Sequence, residues 1–114
     1  MPRLSAVLHG HANINAVSYY CPGCRHAHTL PYGDGPSPRW TWNGDELTPT
    51  FGPSIRTSRP AGPYGDNDEQ VPELTLCHHF VVAGIIQFLD DSSAHSLRGF
   101  HPMVPIPDNY SMGD

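Results

Sequence analysis

The stretch SYYCPGCRHAH, residues 18–28, sets two cysteines at C-x-x-C spacing with two histidines close behind, and a third cysteine follows much later in LCHHF. Residues of these types at this spacing admit half of a metal site, a redox dithiol, or thiols with no shared task. Zinc is borderline soft and takes a tetrahedral shell of Cys thiolates and neutral His when its role is structural. Cys21 and Cys24 place two sulfurs on one turn, where Gly23 permits a tight bend. Cys77 is the third thiol, and His78 beside it is the expected fourth ligand, with His28 and His95 as the other candidates. The expected centre is therefore Zn2+ on Cys21, Cys24, Cys77 and His78. It carries a condition: successive side chains on a regular strand point to opposite faces, so Cys77 and His78 share an ion only if the chain turns or bulges there. The competing reading of Cys77 is a buried core thiol. A redox role for Cys21 and Cys24 needs a thioredoxin-like βαβ context, which this chain lacks.

A second set of residues suits hydrolysis. A catalytic zinc keeps one coordination position open for water, and His28, Asp91 and His95 are the candidates to gather round such a position. DDSSAH, residues 90–95, crowds acid, serine and histidine together. Triads are assembled in space rather than along the chain, so this crowding alone does not argue for a serine nucleophile. Trp40 and Trp42 offer aromatic faces on which a nucleotide base can stack.

The elements that must position these groups read as strands. AVSYY runs straight into Cys21, and AHTLPY is the returning partner. LSAVLH near the start also reads as a strand. RWTWNGDEL alternates up to a strong turn signal at Asn43-Gly44. PTFGPSIRT is extended, with Pro49 and Pro53 excluding a central ladder position. LTLCHHFVVAGIIQFLDD is the clearest hairpin, its β-branched and aromatic residues flanking an Ala83-Gly84 turn. GFHPMVPIPD is a last edge strand, and residues 58–72 form a mobile loop without periodicity. The expectation is a mostly β, small antiparallel fold in one domain over residues 1–114, with a zinc knuckle and long Pro/Gly-rich loops.

Composition narrows the partners. A chain of 114 residues holds one core. Six Lys plus Arg against eleven Asp plus Glu leave a formal charge of −5 with no basic cluster, which excludes general nucleic-acid binding. No run of 18 apolar residues and no signal-type segment occurs, so a soluble, cytoplasmic protein with no membrane partner is expected. Three cysteines in a reducing compartment fit ligands or free thiols better than a disulfide framework.

The combined pattern YYCPGCRHAHTLP, WTWNGDELTPTFGPSI and LCHHFVVAGIIQFLDDSSAHSLRGF resembles an uncharacterised family of small phage and prophage proteins that often carry the label "ammonia monooxygenase". The resemblance implies special roles for Cys21, Cys24, His28, Cys77, His78, Asp91 and His95, with Trp42, Pro49, Thr50, Pro53 and Ser54 as structural or pocket-wall residues. The label itself fails, because a membrane-bound copper enzyme needs spanning helices that are absent here. The leading expectation is a phage-encoded zinc-binding accessory or host-interaction protein with a structural zinc, acting on a host or phage protein in the host cytoplasm. A small metal-dependent hydrolase and a nucleotide-binding protein are the alternatives.

Overall fold

The structure, a computed structural model, describes residues 3–11, 14–36, 38–63, 65 and 69–107. Among them there are only strands and connections. Strands β1 (His9–Gly10), β2 (Ala16–Cys21) and β3 (His26–Pro31) form one antiparallel sheet in that order. Strands β4 (Thr41–Trp42), β5 (Phe51–Arg59), β6 (Leu74–Val82), β7 (Ile85–Phe88) and β8 (Gly99–Pro102) form a second, again in chain order. The fold is the small antiparallel β domain that the strand patterns predict.

The inner faces of the two sheets share one core. Val17, Tyr19, Cys21 and Leu30 from the first pack with Phe51, Ile55, Cys77, Val81, Ile86 and Phe88 from the second. Tyr19 is at its centre, fully buried, stacked on Phe51 with ring centroids 5.8 Å apart. On β6 the alternation is regular: Cys77, His79 and Val81 are buried, whereas His78 is half-buried and Phe80 and Val82 are exposed. Period-two alternation thus sorts the chemistry of LCHHF onto two faces of one sheet.

The β6–β7 turn has φ of 50° at Ala83 and 77° at Gly84, two left-handed residues in succession, as a tight hairpin turn requires. The Asn43-Gly44 turn is held by its own side chains: Asn43 Oδ1 accepts from the N–H groups of Asp45 and Thr50, and Asp45 Oδ1 from those of Leu47 and Thr48.

Three segments differ from their sequence patterns. Most of LSAVLH, residues 4–8, is a turn, and only His9 enters a strand, β1. Ser5 Oγ accepts the N–H groups of Val7 and Leu8, Leu4 N–H donates to Leu8 O, and Leu8 is thereby turned into the core. PTFGPSIRT is not an edge: β5 lies between β4 and β6, and the ladder's register shifts between Phe51 and Ile55, the interval that contains Pro53. The irregularity accommodates a residue with no N–H inside a paired strand. The expected loop at 58–72 is partly strand, since Ser58 and Arg59 pair with Thr75 and Leu74; residues 64 and 66–68 of it lie outside the described residues.

Candidate functional site

β6 and the connection after β7 carry two groups of side chains, one on each face of the second sheet. On the inner side, Cys21 ends β2, Cys24 closes the C-P-G-C turn, Cys77 comes from β6 and His95 from the connection to β8. Their ligand atoms all lie within 4.8 Å of one another, and Cys77 Sγ is 3.4 Å from His95 Nε2. Two sulfurs each about 2.3 Å from a tetrahedral zinc would be about 3.8 Å apart, so the four atoms need close in only slightly to hold one ion.

Local structure prepares this turn. Cys24 N–H donates to Cys21 Sγ at 3.3 Å and Arg25 N–H to Cys21 O at 2.8 Å. Gly23 is needed because the His95 imidazole fills the place of a side chain: a Cβ there would collide with that ring. Phe88 meets His95 edge-on with ring centroids 4.9 Å apart, which fixes the ring's plane.

The charges in this cluster are coupled. A hydrogen bond from the Cys77 thiol pulls Cys21 far below its ordinary value, aided by His28 and Cys24 N–H against the opposing effect of burial. The same bond, burial and the charge on Cys21 push Cys77 strongly up. Burial and the neighbouring Cys21 also raise Cys24, to about 11. Three sulfurs this close do not all ionise unless a cation sits among them, which is what a metal ion supplies.

Cys77 also touches a second trio with His28 and His79. His79 is fully buried, its Nδ1 3.2 Å from Cys77 Sγ and its Nε2 2.6 Å from the Tyr19 hydroxyl. Burial, then the nearby His28, lowers its pKa to about 4, so the ring is neutral at neutral pH. Were a metal ion to hold Cys77 as a thiolate, which only accepts, His79 Nδ1–H would donate to sulfur and Nε2 would accept from Tyr19 O–H. His79 is therefore placed to orient Cys77 from behind, while the cysteine trio and His95 could hold an ion.

The outer face holds a different arrangement. Ser54 Oγ on β5 lies 3.1 Å from His78 Nε2, and His78 Nδ1 lies 3.1 Å from both carboxylate oxygens of Asp91. An ionised carboxylate only accepts, so Nδ1 bears the proton and Nε2 is left to accept from the Ser54 hydroxyl. The hydrogen bond from His78 holds Asp91 below the usual carboxylate range, keeping it charged. Serine, imidazole and carboxylate thus follow one another at hydrogen-bond distances, the geometry that a nucleophile, its base and an orienting acid require.

Backbone and side-chain bonds fix the three parts. Arg56 pairs with His78 across the strands, leaving Ser54 one step along the same outer face. Ser92 Oγ accepts His78 N–H at 2.9 Å, tying the loop that bears Asp91 to the strand that bears His78. Ser93 and Ala94 N–H groups donate to Leu76 O, strapping that loop along β6. Trp40 Nε1–H donates to Ser54 O, which anchors the serine from the β4 side.

The structure therefore distributes the sequence candidates differently from expectation. His78, expected beside the cysteines, points to the other face and bonds Ser54 and Asp91; His95 joins the cysteines instead. His28, Asp91 and His95 do not gather round one position: Asp91 is on the outer face, His95 with the cysteines, and His28 buried near Cys77 and His79. Within DDSSAH no local triad forms, since Ser92 bonds a backbone N–H and Ser93 Oγ donates to Thr75 O. Trp42 meets Tyr32 edge-on at 5.1 Å, and Trp40 and Trp42 both line a cleft of about 360 Å³ with Tyr32 and Arg39. Ser54 is the residue whose chemistry the sequence did not single out; the resemblance implied for it only a structural or pocket-wall role.

A family model described as "Bacterial ubiquitination-like system serine protease (BubE)" matches residues 2–89, most of the chain, and the chain belongs to this family. No significant match was found among curated proteins or solved structures. The family's description overturns the expectation of an accessory or host-interaction protein. It is closer to the hydrolase alternative, though to a serine enzyme rather than one working through a metal-bound water. No described helix is long and apolar enough to cross a membrane.

Proposed function

We propose that this member of the BubE family is a serine peptidase that cleaves a peptide or isopeptide bond within a bacterial ubiquitination-like system, with Ser54 as nucleophile, His78 as general base and acid, and Asp91 as the group that orients His78. The observation that carries this reading is the continuous Ser54–His78–Asp91 hydrogen-bond chain, assembled from β5, β6 and the connection after β7. Ser54 Oγ attacks the scissile carbonyl carbon as His78 Nε2 takes its proton. Asp91 stabilises the resulting imidazolium and keeps Nδ1 protonated. His78 then gives the proton to the leaving amine as the C–N bond breaks, and an ester on Ser54 remains. Water, deprotonated by His78, attacks that ester and releases the acid with Ser54 restored.

The cysteine-rich cluster is a resident metal site in this reading, with Cys21, Cys24, Cys77 and His95 as the ligands and Zn2+ as the ion that three thiolates and an imidazole suit. Zinc supplies no step of the peptidase reaction here; its contribution is to hold the β2–β3 turn, β6 and the 90–95 connection together. Thiolate ligands of this kind persist in a reducing cytoplasm, and the partner implied is the peptidase's protein substrate.

The test is labelling with a fluorophosphonate, which reacts with activated serines and requires no knowledge of the substrate. Wild type is expected to be labelled once, and Ser54→Ala and His78→Ala to be inert while melting within a few degrees of wild type. Unlabelled wild type, or undiminished labelling of Ser54→Ala, would overturn the assignment.

A further inference from the structure

On the outer face of the second sheet, beyond Ser54 and His78, the side chains turn apolar. Phe80 and Val82 of β6, Ile85 of β7 and Phe100 of β8 are 38, 55, 38 and 72% exposed, a concentration of large exposed apolar residues on one face. Val82, Ile85, Gln87 and Phe100 line a cleft of about 380 Å³. The ladder places these residues side by side: Phe80 pairs with Gln87, Val82 with Ile85, and Gln87 with Phe100. His78 shares their face of β6 by strand parity, and Ser54 shares it on β5 next to Ile55, which pairs with His79.

Resting on the serine-peptidase reading, we infer that this cleft is a substrate subsite, and that it selects polypeptides carrying a large apolar side chain three or four residues from the scissile bond. Three observations converge on that occupant. The cleft continues the face that holds the nucleophile, so a chain lying over Ser54 and crossing the strands passes over it. Its span is right: β7 and β8 lie two and three strands from β5, roughly 10–14 Å at the usual strand spacing, which an extended peptide covers in three or four residues. Its chemistry is right: none of its lining residues is charged, and Gln87 alone offers a polar group, one that can bond a passing peptide group while the surrounding side chains bury an apolar one. Contiguous exposed apolar surface of this kind marks a binding surface rather than chance exposure. Phe80, between Ser54 and the cleft, is the floor the intervening residues would cross.

The experiment compares wild type with Val82→Asp and Phe100→Ser, two exposed positions outside the triad and the core. Each protein is given a proteome-derived peptide library, cleavage sites are read by mass spectrometry, and fluorophosphonate labelling is measured in parallel. Wild type is expected to cleave sites enriched in Leu, Ile, Phe or Met at the third or fourth residue on one side of the bond. Both variants are expected to keep the wild-type labelling rate and to lose that enrichment, with kcat/KM on the best wild-type peptide down about tenfold or more. Labelling without cleavage of any library peptide, cleavage with no such preference, or a preference that both substitutions leave intact would overturn the subsite. So would a wild-type dimer that Val82→Asp dissolves, which would assign the cleft to a second copy. Absence of labelling in wild type is the separate result that removes the peptidase reading itself.

Discussion

Replacing Asp91 separates an orienting carboxylate from a bystander. In triads whose acid is buried, its loss costs about four decades in rate. Asp91 is more open: its side chain is 55% exposed and that of His78 22%. The attraction between a carboxylate and the imidazolium formed during attack scales inversely with the effective dielectric constant, from about 20 for a buried pair to about 80 in water. Four decades therefore shrink towards one at the aqueous limit, and a half-exposed pair falls between, so Asp91→Ala is expected to slow fluorophosphonate labelling of Ser54 about 10²-fold. Asp91→Asn is expected to be slower still. The introduced amide can donate to His78 Nδ1, which moves the ring proton to Nε2 and leaves no acceptor for the Ser54 hydroxyl. The assay is the second-order labelling rate of wild type and both variants at pH 7.5, with folding checked by thermal melting. An Asp91→Asn rate within twofold of wild type, or Asp91→Ala slower than Asp91→Asn, would refute the role given to the carboxylate.

Other outcomes follow from the inner face. One equivalent of zinc should copurify with the protein, and His95→Ala should weaken its retention by more than the 10–100-fold typical of losing an outer partner of a ligand, measured by competition with a chromophoric chelator. Stripping the ion should also slow Ser54 labelling, because His95 is in the connection that carries Asp91; labelling unchanged in metal-free, folded protein would disprove that link. Tyr19→Phe removes the hydroxyl that satisfies buried His79 Nε2, at a cost of about 1–3 kcal/mol in chemical denaturation, and an unchanged midpoint would show that another group satisfies that nitrogen.

The parts of this fold that sequence reading reached are those governed by local rules. The Ala83-Gly84 hairpin is flanked by β-branched and aromatic runs, and the C-x-x-C turn is fed by a strand and followed by one. Ser5 shows the opposite case, where one hydroxyl capping two N–H groups turns a strand-like pattern into a loop. Strand parity already distinguished His78 from Cys77, and with no bulge at that point it sends His78 outward. What stayed hidden was the pairing of β5 with β6, which brings Ser54 to His78 across 24 residues of chain, and the path of the 90–95 connection, which delivers Asp91 to one face and His95 to the other. Both depend on contacts between elements, which residue spacing does not encode. Pro53 compounded this by making β5 read as an edge, although the register shift lets it pair.

The most direct measurement of the central claim is the position of the covalent adduct. Wild-type protein reacted to completion with fluorophosphonate is digested, and the modified residue is identified by tandem mass spectrometry. A single adduct on Ser54, absent from His78→Ala, is the predicted result. An adduct on Ser92, Ser93 or a cysteine, or none at all, would contradict it.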